Sequence, residues 1–76
     1  MHADTLPPDA RLAKTDKGRQ ALTRRELLPV LPLRTALILC DGRACVAEVL
    51  GACRALGVTA QDLAGLVAEQ FVEVRP

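Results

Sequence analysis

The chain has 76 residues, of which 50% are apolar and 25% charged, with Phe71 as the one aromatic residue. This length allows a single domain with a small core, built from Leu, Val, Ala, Ile and Cys. The formal net charge of +1 gives the whole molecule little attraction for nucleic acid or for an anionic membrane. The scarcity of aromatic residues argues against the stacking platforms that bind single-stranded nucleic acid.

The N-terminal segment, residues 1–13, carries prolines and aspartates without regular periodicity. It predicts a flexible lead-in, followed by one domain over 14–76. Acids and prolines stand where a secretory signal needs an apolar stretch, so we expect a cytoplasmic protein with reduced thiols. The longest apolar run, 27–40, is interrupted by prolines and Arg34, and it is too short to span a membrane.

A first helix is predicted over 16–28, before a proline that ends it. Thr15 is a suitable N-cap for this helix. Gly18 weakens the first turn, and Thr23 and Glu26 have the spacing of a capping box. A later start of the helix therefore stays open.

A second helix is predicted over 33–40, with Pro32 at its first position. Its apolar residues recur at helical spacing, but Ile38 and Leu39 fall off that stripe. We therefore expect this helix to be buried on more than one side. A short buried strand is the alternative, and Gly42 is suited to end either element.

A third helix is predicted over 46–56, where Gly57 fits a left-handed helix stop. Gly51, inside this helix, is expected to permit the close approach of a neighbouring helix. A fourth helix over 59–70 has Thr59 as its N-cap. The final sequence "FVEV" alternates apolar and acidic residues, which predicts a short strand.

The cysteines form a C-x4-C-x7-C pattern, and the only histidine, His2, lies in the lead-in. This pattern does not match a four-ligand zinc site, so we expect no metal and no cofactor. Aliphatic neighbours predict that Cys40, Cys45 and Cys53 are structural. A reactive thiol at Cys45, beside Arg43 at a helix start, is a fainter alternative.

Motifs for enzymatic chemistry are missing. The chain lacks serine and an internal histidine, which excludes the usual catalytic triads. It also lacks a glycine-rich phosphate loop and a nucleophile elbow. We therefore predict that the protein is not an enzyme and has no small-molecule substrate.

The order of helix, connector "DGRA", helix, turn, helix and strand resembles the winged helix-turn-helix domain. Residues 12–22, "LAKTDKGRQAL", are similar to the segment "LTPKGR.AL" of MarR-type regulators, where the segment follows the wing. The run "LRTALILCDGRACVAEVL" resembles "LR.LLILVDG.RSV.EL" in small uncharacterised proteobacterial proteins. These resemblances imply a bacterial protein of mainly α class. They imply a small winged-helix-like bundle of three to four helices, with at most a minimal β-hairpin or short strand.

The predicted fourth helix departs from the pattern of DNA-binding winged helices. In those proteins the corresponding helix brings Arg, Lys, Asn or Gln to base edges. Here the helix lacks Lys and Arg, and its charged residues are Asp62 and Glu69. We therefore predict a non-enzymatic protein–protein interaction or dimerisation module on this scaffold. Its partner would be another protein or a second copy in a homodimer.

The alternative is a weak DNA-binding, transcription-regulator-type protein that contacts phosphates through its basic segment, residues 14–25. The candidate residues are Lys14, Lys17, Arg19, Arg24 and Arg25. A solvated basic helix face with no partner is the third interpretation.

Overall fold

The computed structural model describes residues 6–75 and shows a mixed α/β domain. The helices and strands follow in chain order as β1 (Arg11–Lys14), α1 (Asp16–Thr23), α2 (Leu31–Leu39), β2 (Asp41–Cys45), α3 (Val46–Ala52), α4 (Ala60–Ala68) and β3 (Val72–Arg75). Short 3-10 turns at Arg25–Leu27 and Arg54–Leu56 follow α1 and α3.

The strands form one antiparallel sheet in the order β2-β1-β3. The first strand of the chain is therefore the central one. It pairs with the last strand over its full length, from Arg11 opposite Arg75 to Lys14 opposite Val72. Leu12, in β1, is completely buried. The first and last strands of the described chain are thus neighbours in the sheet.

The sheet is larger than the minimal hairpin or short strand that the sequence predicts. The expected connector "DGRA" lies in β2, and residues 11–13 of the expected lead-in lie in β1. Two adjacent apolar residues are buried in β1, and β2 contains no buried residue, so neither sequence shows the apolar alternation that predicts a strand. Residues 1–5, which include His2, lie outside the described residues.

The four predicted helices are present, with different bounds. The first ends at Thr23 because the backbone of Arg24 is extended. The second is helical rather than a strand, and it begins at Leu31, with Pro32 in its first turn. The third ends at Ala52 and continues only as a 3-10 turn. The coarse order of helices is thus confirmed.

The cap signals at Thr15, Thr59 and Gly57 are confirmed, whereas the later start of the first helix is wrong, because the Thr23 hydroxyl donates to the Gln20 carbonyl and forms no capping box with Glu26. The Thr15 hydroxyl accepts a hydrogen bond from the backbone N–H of Gly18 at 3.0 Å. Thr59 and Asp62 form a reciprocal capping box at the start of α4. Gly57 has a positive φ of 79° and ends the turn after α3.

The core lies between the helices and the sheet, and its composition is aliphatic. Its largest completely buried side chains are Leu12, Leu37, Leu63, Val46, Val49, Cys40 and Cys53. Phe71 is also buried, at 6% exposure. Cys40 and Cys53 therefore serve as small core residues, as the sequence predicts.

Candidate functional site

Lys14, the first candidate phosphate-binding residue, binds the C-terminal end of α2. Its Nζ donates to the carbonyl oxygens of Ile38 at 3.1 Å and Cys40 at 2.8 Å. Carbonyls in the last turn of a helix lack partners within the helix and lie at the negative end of its dipole. The half-buried Lys14 side chain therefore acts as a helix cap.

The end of α4 is formed by a tight backbone turn. The Phe71 N–H donates to the Leu66 carbonyl, and the Gln70 N–H donates to the Val67 carbonyl, both at 3.0 Å. This pairing, with Gln70 at a φ of 67°, is a Schellman motif in which glutamine replaces the usual glycine. The carbonyls of residues 69–71 are left to bind other groups.

The start of α1 binds these carbonyls. The Thr15 hydroxyl donates to the Gln70 carbonyl, and the Thr15 N–H donates to the Phe71 carbonyl at 3.1 Å. Lys17 Nζ donates to the Glu69 carbonyl at 2.7 Å and lies 4.6 Å from the centre of the Phe71 ring. Thr15 and Lys17 thus join the start of α1 to the end of α4.

Arg34 performs the same task at the end of α1. Its guanidinium donates to the carbonyls of Ala21 and Leu22, the latter at 2.8 Å. A further bond, 3.3 Å long, reaches the Leu28 carbonyl. Lys14, Lys17 and Arg34 therefore each place a positive charge at the C-terminal end of one helix.

The other candidate cations differ in their partners. Arg19 pairs with Asp16, and Arg24 lies 3.5 Å from a carboxylate oxygen of Glu26. These pairs are exposed, so each contributes little to stability. Among the described residues, Arg25 has no ion-pair partner. Lys14 and Lys17 thus bind the ends of two different helices, and the structure does not bring all the candidates together as one phosphate-binding group.

The exposed face of α4 carries small and neutral side chains. It includes Ala60, Gln61, Gly65 and Ala68. The carboxylate of Asp62 accepts a hydrogen bond from the Thr59 N–H at 2.9 Å, so this acid has a capping role. In the position expected for a base-reading helix, α4 therefore presents few groups that attract phosphate.

An exposed apolar surface lies on α2 and on the segment before it. Leu31 and Ile38 are seven residues apart on one face of α2, and they are 71% and 58% exposed. Val30 is 50% exposed and Leu27 is 38% exposed. We call these four residues the α2 patch. Large apolar side chains with this much exposure are candidates for contact with a partner.

The α2 patch is the feature that sequence analysis missed. Because Ile38 falls off the apolar stripe of its helix, the sequence predicts burial on a second side. The structure instead leaves Ile38 exposed and buries Leu37 completely. The position of Ile38 off the main stripe was nevertheless a signal for this surface, because a helix that is apolar on more than one side needs a second surface to cover it.

A cleft of about 270 Å³ lies beside Ile38, between α2 and α3. Asp41 and Glu48 line it, together with apolar residues that include Leu39 and Val49. Backbone N–H donors from Ala44 and Arg43 lower the pKa of Asp41. The N–H of Cys45 likewise lowers the pKa of Glu48. Both carboxylates are therefore ionised at neutral pH.

A depression of about 600 Å³ lies between the start of α1, the end of α4 and β3. Val67, Val72 and Val74 line it, with Lys17 and Asp16 at its edge. These groups do not form a nucleophile and base at bonding distance, since Lys17 is bound to a backbone carbonyl.

The three cysteines are free. Burial raises the pKa of the Cys40 thiol to about 11 and also raises the pKa of Cys53. The thiol of Cys40 donates to the Ala36 carbonyl at 3.3 Å. Cys45 is half-buried at the start of α3, where the Glu48 carboxylate binds its N–H. Within residues 6–75, no three His, Cys, Asp or Glu side chains are grouped closely enough to hold a metal ion.

In the part of the chain that the structure describes, no helix combines the length and apolar character needed to cross a bilayer. Comparisons with protein-family models, with curated proteins and with solved structures find no match to this chain.

Proposed function

We propose that this protein is a non-enzymatic interaction or dimerisation module on a winged-helix-like scaffold. The observation that carries the proposal is the α2 patch, whose four apolar side chains are 38% to 71% exposed. A cytoplasmic location in a bacterium belongs to the same proposal, and the three free cysteines are consistent with a reducing compartment.

The strand pairing supports the winged-helix-like part of the proposal. In MarR-type regulators, the segment similar to residues 12–22 follows the wing. Here it precedes the helices in sequence, yet its strand β1 pairs with β3, which directly follows α4. In space, the segment therefore lies beside the strand after the fourth helix, as it would if it followed a wing.

The second candidate function, phosphate binding by residues 14–25, has weaker support. Lys14 and Lys17 are bound to helix-end carbonyls, and Arg24 has an acidic neighbour. Arg25 alone favours this function, since it has no ion-pair partner among residues 6–75. One such cation supports only a weak, salt-sensitive contact with a nucleic acid.

Co-purification from the source cells tests the interaction function. The tagged wild-type chain is compared with Ile38→Asp, which places a charge in the α2 patch. Leu56→Asp is the matched control, because Leu56 is 46% exposed and lies outside the patch. We expect a bound protein, either untagged chain or another species, that Ile38→Asp loses and Leu56→Asp retains. Identical recovery by all three chains would overturn the proposal.

A further inference from the structure

We infer that the α2 patch binds a second copy of this chain, with the two α2 helices antiparallel about a two-fold axis beside Thr35. This inference rests on the proposed function and names its partner. Thr35 lies between Leu31 and Ile38 on the same helix face. A two-fold axis at Thr35 therefore places Leu31 of each protomer against Ile38 of the other.

The shape of the surface is complementary to itself in this arrangement. At one end of α2, Leu31 is 71% exposed and projects from the domain. At the other end, Ile38 borders the cleft of about 270 Å³. The two ends are about 10 Å apart along the helix axis. In antiparallel packing, Leu31 of each protomer reaches the cleft of the other, so the same contact forms at both ends of the interface.

The charges at the two ends are also complementary. Arg24, Arg25 and Glu26 precede Leu27 in the chain, so the N-terminal end of the patch has an excess of one positive charge. At the C-terminal end, Asp41 and Glu48 line the cleft and Lys14 binds the carbonyls of Ile38 and Cys40, so these groups have an excess of one negative charge. In the antiparallel dimer the basic end of each copy faces the acidic end of the other, whereas parallel packing would place like charges together.

The exposed area fits a modest dimer. Four apolar side chains at these exposures amount to a few hundred Å² of patch surface. A standard interface buries about 800 Å² per partner, of which roughly 60% is apolar. The α2 patch supplies much of that apolar area, and the charged ends supply a polar rim. We expect a dissociation constant in the micromolar range, since interfaces at the small end of the range bind weakly.

Sedimentation equilibrium of the purified full chain, from about 10 μM to 1 mM, tests the inference. We expect a reversible monomer–dimer equilibrium. Ile38→Asp should weaken the association at least tenfold, whereas Leu56→Asp should leave it unchanged. Circular dichroism establishes that both variants keep the wild-type helix content. A monomer at every concentration, or a dimer unaffected by Ile38→Asp, would overturn the inference.

Disulfide trapping tests the position of the axis. Cys45→Ser provides the background, because Ser keeps a good N-cap and removes the half-buried thiol. Thr35→Cys in this background should form an intermolecular disulfide under mild oxidation. Gln61→Cys, on the exposed face of α4, should stay monomeric. Equal trapping at both positions would contradict the two-fold axis at Thr35.

Charge exchange tests the antiparallel direction. Arg25→Glu should weaken the homodimer, as should Glu48→Lys. An equimolar mixture of the two variants should restore association, because each interface end then joins opposite charges. A mixture that associates no better than either variant alone would contradict the antiparallel arrangement.

The inference and the proposed function can fail separately. If the purified chain is monomeric while co-purification still depends on Ile38, the partner is a different protein and only the second-copy inference is overturned. If the chain is monomeric and no species depends on Ile38, both are overturned.

Discussion

Gly18 lies where the start of α1 meets the end of α4. A Cβ atom at this position would overlap with the carbonyl oxygen of Phe71. That oxygen also accepts the Thr15 N–H, so it cannot move without breaking a backbone hydrogen bond. Glycine is therefore required here by a contact between two segments far apart in sequence.

Gly18→Ala should lower the free energy of unfolding by about 3 kcal/mol, because the added methyl overlaps with backbone atoms. Gly65→Ala is the matched control. Gly65 lies inside α4 with nothing within 4 Å of the added Cβ, so alanine should stabilise the domain by about 0.5–1 kcal/mol. Urea denaturation of both variants measures the difference. Equal effects would contradict the described packing of α1 on the Phe71 backbone.

Contacts between residues a few positions apart could be predicted from the sequence, whereas contacts between residues far apart in the chain could not. The caps at Thr15 and Thr59 depend on neighbours three residues away, so the sequence predicts them. Gly18 was interpreted as a weak first turn, because its contact with Phe71 depends on the folded chain. The prediction for Gly51 was wrong, since its Cβ position has no neighbour within 4 Å.

Three helices have a basic side chain bound at their C-terminal ends. Lys14, Lys17 and Arg34 bind the final carbonyls of α2, α4 and α1, respectively. Each bond is charge-assisted, which makes it stronger than a bond between neutral groups. Internal contacts of Lys14 and Lys17 thus explain part of the positive charge of the basic segment, residues 14–25.

Lys14→Met should destabilise the domain by about 1.5–3 kcal/mol, the value of a hydrogen bond from a charged group. The methionine keeps the apolar stem but removes the charged donor to the carbonyls of Ile38 and Cys40. The Cys40 carbonyl then keeps only its bond from the backbone N–H of residue 14. Arg25→Met is the matched control, since Arg25 has no ion-pair partner among the described residues. Thermal unfolding compares the two variants. An effect of Lys14→Met no larger than that of the control would show that the helix cap contributes nothing.

At the element scale, the helices were predictable from apolar periodicity and proline positions. The strands β1 and β2 were not, because each is short and mixes charged with small residues. Their pairing depends on the alignment of distant segments, as in Arg11 opposite both Arg75 and Cys45. Sequence periodicity carries no information on such pairing.

At the scale of the whole molecule, the pairing of β1 with β3 allows the chain order to be changed. A circular permutant would join residue 76 to residue 6 by a Gly/Ser linker and begin at Val30, which is exposed. Because the ends of both strands are already adjacent, the permutant should unfold cooperatively with stability within about 2 kcal/mol of the wild type. This chain order places residues 12–22 after β3.

A second permutant, opened inside α2 between Ala36 and Leu37, provides the control. Both residues are completely buried, so new termini there should prevent folding. If the permutant that begins at Val30 also fails to fold, the winged-helix-like interpretation of the β1–β3 pairing loses its support.

The interaction surface that we propose is the α2 patch rather than the basic segment. The most direct test is a residue-resolved measurement of amide chemical shifts in the isotope-labelled chain. Spectra are recorded on dilution and then with added DNA duplex at low salt. We predict that dilution shifts the amides of residues 27–41 and Glu48, while duplex leaves residues 14–25 unchanged. Spectra that are independent of concentration, with duplex-dependent shifts at residues 14–25, would contradict the account.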